Sequence, residues 1–180
     1  MKLRILSWNV RGANDREKRK LIKEVIKSQK ADLVCLQETK NQEMSNGLVK
    51  SLGVGRCLEW GVLNSRWAAG GVLVFWDNRV LKLEEMEVGK FTVSCRFKNC
   101  EDGFGWCFSG VYGPTAKYER EELWSELGAI RGIWNEPWCV AGDFNMIRFP
   151  YERSRGGRLS QEMRRFSEVV EELDLKDLPL

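Results

Sequence analysis

Histidine is absent from all 180 residues. That excludes His-based general-base catalysis, serine or cysteine triads built on His, and His metal ligands within the chain. Hydrolytic chemistry here has to rest on carboxylates, amides, Tyr, Lys and Arg. Such a set suits magnesium, because hard cations take oxygen ligands. Long apolar runs are missing too: none approaches the ~18 residues that span a bilayer. The opening stretch MKLRILSWNV is basic and then apolar, but it is too short for a secretory leader, and polar Asn9, Arg11 and Asn14 interrupt it. An intracellular protein with no membrane association is expected. The six cysteines never form a CxxC pair, and no histidine is present to complete a mixed zinc site. Reduced, buried thiols are therefore expected. Strong charge of one sign is lacking as well. The net charge of +3 permits an anionic partner without demanding one.

What is present suits a single domain spanning residues 1–180. Hydrophobic residues make up 43% and charged residues 31%, a balance that argues against disorder. No repeat or linker-like stretch divides the chain. Leu3 to Val10 reads as a buried strand. Asn14 is placed to cap a following helix, with Glu17 three positions on as in a capping box. That helix runs from Asp15 to about Lys30, with Leu21, Ile22, Val25 and Ile26 on its apolar stripe. Leu33 to Leu36 is a second buried strand. Short strands follow at Gly71 to Trp76, Val80 to Val88, Phe91 to Phe97 and Trp106 to Tyr112, with turn residues at Asp77-Asn78 and Gly89-Lys90. Pro114-Thr115 opens a helix whose stripe is Leu123, Trp124, Leu127, Ile130 and Trp134. Trp138 to Ala141 is another buried strand. After a basic loop, Ser160 caps a last helix carrying Met163, Phe166, Val170 and Leu173. The pattern implies an α/β (α+β) layered domain with much antiparallel pairing, rather than a doubly wound nucleotide fold.

Three of these strands end in polar residues: Ser7-Trp8-Asn9, Gln37-Glu38-Thr39 and Gly142-Asp143-Phe144-Asn145. Brought to one rim, Glu, Asp and two Asn have the chemistry of a magnesium–phosphate site. Singly, each has a plainer reading. A Glu after a strand is usually solvated, Asp143 beside Gly142 suits a turn, Asn9 suits a loop cap, and Tyr112 suits turn packing. In combination they are specific. The blocks ILSWNVRG (5–12), VCLQETK (34–40), GVYGP (110–114) and VAGDFN (140–145) together resemble the endonuclease/exonuclease/phosphatase family, with its deoxyribonuclease I-like fold. The LSWNVRG opening and the GDFN…ER…GGR segment are most similar to the endonuclease domain of plant LINE-type retroelements.

The resemblance implies a four-layer α/β sandwich of two mostly antiparallel packed sheets flanked by helices. It also implies Mg2+ as cofactor, with Mn2+ able to substitute. Glu38 falls on the family's metal-ligand glutamate, and Asn9 on the asparagine that supports metal and carboxylate. Tyr112 matches the tyrosine at the scissile phosphate. Asp143 and Asn145 match the pair that orients the attacking water and stabilises phosphate oxygens. Two further family blocks, a late strand with an aspartate and a Ser-Asp-His segment, find no match here. The domain is therefore expected to be incomplete at its C-terminus, missing its last strands and impaired in catalysis. Arg11 stands where some DNA-repair relatives carry an acidic residue. It is a candidate contact to substrate phosphate. Arg153, Arg155 and Arg158, in the basic loop 148–158 next to the GDFN block, are candidate DNA-backbone contacts. The bland reading of that loop is a solvated segment paired with Glu152 and Glu162. Trp8, Trp76, Trp106, Trp124 and Trp138 read as core, whereas Trp60 and Trp67 are candidates for stacking on nucleotides.

The functional expectation is magnesium-dependent phosphodiester hydrolysis on DNA by a nicking endonuclease of retroelement type, with no obligate protein partner. Such an enzyme would need access to the nucleus. Two alternatives stand beside it: a non-catalytic remnant or nucleic-acid-binding fragment, and a phosphatase or RNA nuclease of the same family.

Overall fold

The structure, a computed structural model, describes residues 1–65 and 70–178. These residues form eight strands and four α-helices: β1 (Ile5–Asn9), α1 (Arg16–Gln29), β2 (Leu33–Gln37), α2 (Asn46–Leu52), β3 (Leu58–Leu63), β4 (Val72–Asp77), β5 (Leu81–Val88), β6 (Thr92–Asn99), β7 (Gly105–Tyr112), α3 (Arg120–Ile133), β8 (Trp138–Asp143) and α4 (Gln161–Glu172). Single 3-10 turns occur at Lys117–Glu119 and Pro150–Glu152. The strands form two four-stranded sheets, ordered β1-β2-β4-β3 and β5-β6-β7-β8. Each sheet is antiparallel except for one parallel pair, β1 with β2 and β7 with β8. A parallel pair needs a crossover, and α1 and α3 supply the two crossovers.

Residue parity explains the layers. Leu33 and Cys35, Val72, Val74 and Trp76, Val93, Cys95 and Phe97, Trp106 and Phe108 all point between the sheets into one buried cluster. The intervening Val34, Leu36, Leu73 and Phe75 face the other way, against Ile22 and Ile26 of α1 and Val49 and Leu52 of α2. On the second sheet, Phe91 and Val111 meet Leu123, Trp124 and Leu127 of α3 and Phe166, Val169 and Val170 of α4. Helix, sheet, sheet and helix thus make the four-layer sandwich that the sequence led us to expect. Strands β2 and β4 read as unbroken apolar runs because both of their faces are covered. The sheets pack tightly at Gly110, where a Cβ would lie 2.6 Å from Cys35 Sγ. Trp76 packs edge-on to Phe97 with ring centroids 4.8 Å apart.

The strands expected between residues 71 and 112 are all present, within one or two residues. Several local expectations are corrected. Asp15, not Asn14, caps α1, accepting a hydrogen bond from Lys18 N at 2.8 Å. Asn14 instead donates to the Lys40 carbonyl. The apolar stripe of α1 is narrower than expected: Ile22 and Ile26 are buried, but Leu21 is 67% exposed. The helix after Pro114 starts late, with a 3-10 turn preceding α3. Strands β1 and β8 are not fully buried, because each lies at an edge of its sheet among the described strands. The sequence reading also passed over α2 and β3 altogether.

The six cysteines carry no disulfide; Cys35, Cys95 and Cys107 are buried, and Cys100 is exposed. Burial pushes the Cys35 thiol up to about 12 and the Cys107 thiol to about 11, from an ordinary 9.0. Among the described residues, no helix is long and apolar enough to cross a membrane.

Candidate active site

The parallel pairs deliver the polar strand ends to one rim. In the first sheet, register sets Asn9 opposite Gln37, so Glu38 emerges beside Asn9. In the second, Tyr112 lies opposite Asp143. The edge strands β1 and β8 lie against each other across the sandwich. There the Asn9 side-chain amide donates to Asp143 Oδ2 at 2.7 Å, joining the two sheets.

The loops beyond the strands are stitched together in matching ways. Gly12 N and Ala13 N donate to the carbonyls of Glu38 and Thr39, at 2.6 and 2.8 Å, which extends the β1–β2 pairing past the strands. On the other sheet, Gly113 N donates to the Asp143 carbonyl at 2.7 Å, and Asn145 Nδ2 returns a bond to the Gly113 carbonyl at 2.7 Å. Gly113 is required there, because a Cβ would run into the backbone of Phe144. Among the described residues, six non-glycine residues adopt positive φ, and four of them line this rim: Arg11, Glu38, Lys40 and Asn145. The other two, Lys30 and Asp174, end helices α1 and α4. A left-handed backbone at a non-glycine residue costs roughly 1–2 kcal/mol, and it persists only where the surroundings impose it. The cluster at the rim therefore marks a site held in shape by tertiary contacts.

Both oxygens of Asp143 are held. Oδ2 takes the Asn9 bond, and Oδ1 accepts from Asn145 N at 2.9 Å. Asn9 Oδ1 accepts from Arg11 N at 3.0 Å, so its amide is oriented at both ends. The Glu38 carboxylate is 20% exposed and pairs with Lys40 Nζ at 3.0 Å. The Tyr112 hydroxyl is pushed up from 10.0, first by burial and then by the negative charge of Glu38. Contact with the Asn145 side chain opposes that rise, and the charge of Asp143 adds to it. Tyr112 therefore stays protonated at neutral pH and is able to donate a hydrogen bond.

All five expected site residues, Asn9, Glu38, Tyr112, Asp143 and Asn145, are thus brought to one rim. Lys40 lies inside the VCLQETK block, but the sequence reading assigned it no role. Its place two residues after Glu38 was the available signal. Arg11 is exposed at the rim, and its carbonyl accepts from Lys18 Nζ. Arg153, Arg155 and Arg158 are exposed on the loop after β8. The expected pairing of that loop with Glu152 and Glu162 takes a different form. Arg148 pairs with Asp177 at 2.6 Å, while Glu152 accepts from the Arg148 backbone N–H. Glu162 pairs with Lys117. Trp60 is half-buried with its indole N–H on Asn46 Oδ1 at 2.7 Å, which leaves it poorly placed to stack on a base. Trp67 lies outside the described residues.

For a divalent cation, the rim offers hard oxygens only: the Glu38 carboxylate, the Asn9 amide oxygen and Asp143. Among the described residues, no group of three or more His, Cys, Asp or Glu side chains is arranged to hold a metal. The donor set fits magnesium bound through one carboxylate and several waters, the habit of that ion at phosphoryl sites. It does not fit zinc.

No curated protein matches the chain in sequence. Among solved structures, the AP endonuclease LMAP from Leishmania major superposes with a TM-score of 0.69 at 15% identity, over 95% of this chain and 66% of that one. The Xenopus laevis APE2 catalytic domain gives 0.66 at 21% identity, over 92% and 67%. The mannosyl-6-phosphatase Bt3783 of Bacteroides thetaiotaomicron gives 0.60 at 15% identity, over 80% and 66%. The chain therefore spans about two thirds of the length of these structures. At such identities they establish a shared fold and nothing finer. The sequence match is more direct, covering residues 6–170, and it takes in the whole rim and all of the four blocks except Ile5. The chain belongs to the Endonuclease/Exonuclease/phosphatase family.

Proposed function

We propose that the chain carries most of the active site of a magnesium-dependent DNA endonuclease of retroelement type. The observation that carries this reading is the Asn9–Asp143 hydrogen bond, which sets Glu38, Tyr112, Asp143 and Asn145 around one point where the two sheets meet. Glu38, supported by Asn9, would hold the magnesium ion. The ion when bound would polarise a phosphoryl oxygen as a Lewis acid. Asp143, fixed at both oxygens, keeps lone pairs free to accept a proton from an attacking water. Tyr112 and Asn145 supply donors for the negative charge that builds on the phosphate oxygens. The new bond joins the water oxygen to phosphorus, and the bond to the leaving sugar oxygen breaks.

The LSWNVRG opening and the GDFN…ER…GGR segment support the retroelement type, and with it a nuclear place of action. Arg11, Arg153, Arg155 and Arg158 are the proposed backbone contacts. The family's Ser-Asp-His segment finds no match in these 180 residues. A second reading is favoured by the absence of histidine: the 180 residues by themselves act as a nucleic-acid-binding unit with little turnover.

The test is nicking of supercoiled plasmid DNA with magnesium, by the chain alone and with a family-like Ser-Asp-His segment appended. The bare chain should be slower by ~10²–10⁴-fold, the usual cost of losing a positioned proton-transfer or charge-stabilising group. In the completed protein, Asp143→Ala and Glu38→Ala should each abolish nicking. Equal rates with and without the appended segment would refute the assigned roles. Hydrolysis of a small phosphate ester without DNA nicking would replace the nuclease with a phosphatase.

A further inference from the structure

A cleft of about 270 Å3 opens beside Asn145, between the 3-10 turn that leads into α3, the loop after β8 and the start of α4. Its walls include Lys117, Arg120, Arg153, Ser160 and Glu162. The volume falls just short of the ~300 Å3 at which small-molecule pockets begin, so it suits one phosphodiester group better than a whole nucleoside. The charges on its walls are unequal. Lys117 Nζ pairs with Glu162 Oε1 at 2.7 Å, and that lysine, with local hydrogen bonds, holds the Glu162 carboxyl down at about 2. Arg120 and Arg153 make no ion pair among the described residues, and Arg120 Nε is buried with no acceptor. By contrast, Arg165, on the same face of the molecule, is matched by Glu121 and Glu172 at 3.0 and 3.3 Å. A buried guanidinium N–H without a partner calls for an anion, and the planar fork of Arg suits the paired oxygens of a phosphate.

We propose that this cleft is a second phosphate subsite, in which Arg120 and Arg153 grip a nucleic-acid backbone phosphate next to the one cleaved at Asp143. The assignment rests on the nuclease reading and adds to it a register for the strand, running from the Asp143 rim past Asn145 towards α4. Glu162 borders the subsite and keeps Lys117 in check, so it sets an upper limit on affinity there.

Binding of a short DNA duplex by the chain in EDTA, followed by fluorescence anisotropy across about 50 to 200 mM salt, tests this without any turnover. Arg120→Gln/Arg153→Gln should weaken binding and lower the slope of log K against log salt by about 0.9, the share of one phosphate contact. Arg153→Gln alone, at an exposed position where folding is not at risk, should give part of that drop. Glu162→Gln should tighten binding, because it removes a carboxylate and frees Lys117. Arg165→Gln should leave the slope unchanged. A slope unaltered in both arginine variants overturns the subsite even if the completed enzyme nicks DNA. An equal drop in Arg165→Gln overturns it too, by reducing the effect to general charge. Absence of any duplex binding by the unaltered chain sinks the subsite together with the nuclease reading.

Discussion

Lys40→Met should tighten magnesium binding, and the structure sets the size of the effect. The Lys40 ammonium lies 3.0 Å from Glu38 Oε1, where it acts as counter-ion to the carboxylate that would hold the metal. With one carboxylate and several waters, the starting affinity is expected in the millimolar range, roughly 4 kcal/mol. A cation coordinated to Glu38 would sit about 4 Å from that ammonium unless the lysine swings away. At that distance, repulsion between unit charges is about 1 kcal/mol in water and about 4 at an effective dielectric of 20. The Lys40 side chain is 36% exposed and flexible, so the lower figure governs, roughly doubled for a divalent ion. A gain of about 1–2 kcal/mol is expected, which is a factor of ~5–30 in affinity. Glu38→Gln should abolish binding, and Glu43→Gln should not. Isothermal calorimetry with magnesium, or paramagnetic titration with manganese, reads all three variants at one ionic strength. Equal affinity in Lys40→Met and the unaltered chain would remove the ammonium from the site. Equal affinity in Glu38→Gln and Glu43→Gln would remove Glu38.

Two further outcomes follow from the packing. Stability should fall as pH rises through 9 towards 12. Unfolded thiols ionise in that window, whereas Cys35, raised to about 12, and Cys107, raised to about 11, stay protonated when folded. Each thiol removes about 1.4 kcal/mol per pH unit, and urea midpoints flat from pH 8 to 11 would refute it. Glu126 accepts hydrogen bonds from Lys90 N, Phe91 N and Thr92 Oγ1 at 2.7–3.1 Å, which pins the β5–β6 turn to α3. Glu126→Ala should cost about 2–3 kcal/mol, and a shift in urea midpoint well below that would mean water replaces the carboxylate without loss.

Much of this protein was legible in the sequence, because its signals are local and repeated. Alternating and continuous apolar runs located seven of the eight strands, since period and burial are written into neighbouring residues. Ser160 marked the start of α4 through cap chemistry, and it accepts from Met163 N at 3.3 Å. The four ordered blocks contain every residue now found at the rim, although they suggested no role for Lys40. What the sequence withheld was whatever depends on residues far apart in the chain. The segment LEWGVL of β3 carries a glycine and a single β-branched residue, so it forms a strand only because β4 is there to pair with it. Helix α2, of seven residues, is too short to be stable by itself and is held by packing on the first sheet. The sequence set Asn14 and Asp15 side by side as candidate caps. The choice fell to Asp15 once Asn14 found the Lys40 carbonyl, 26 residues away. The site is the clearest case. Asn9 and Asp143 stand 134 residues apart and meet only where two edge strands cross the sandwich. Chain chemistry chose these donors and carboxylates, but strand register and sheet packing decided that they face one another.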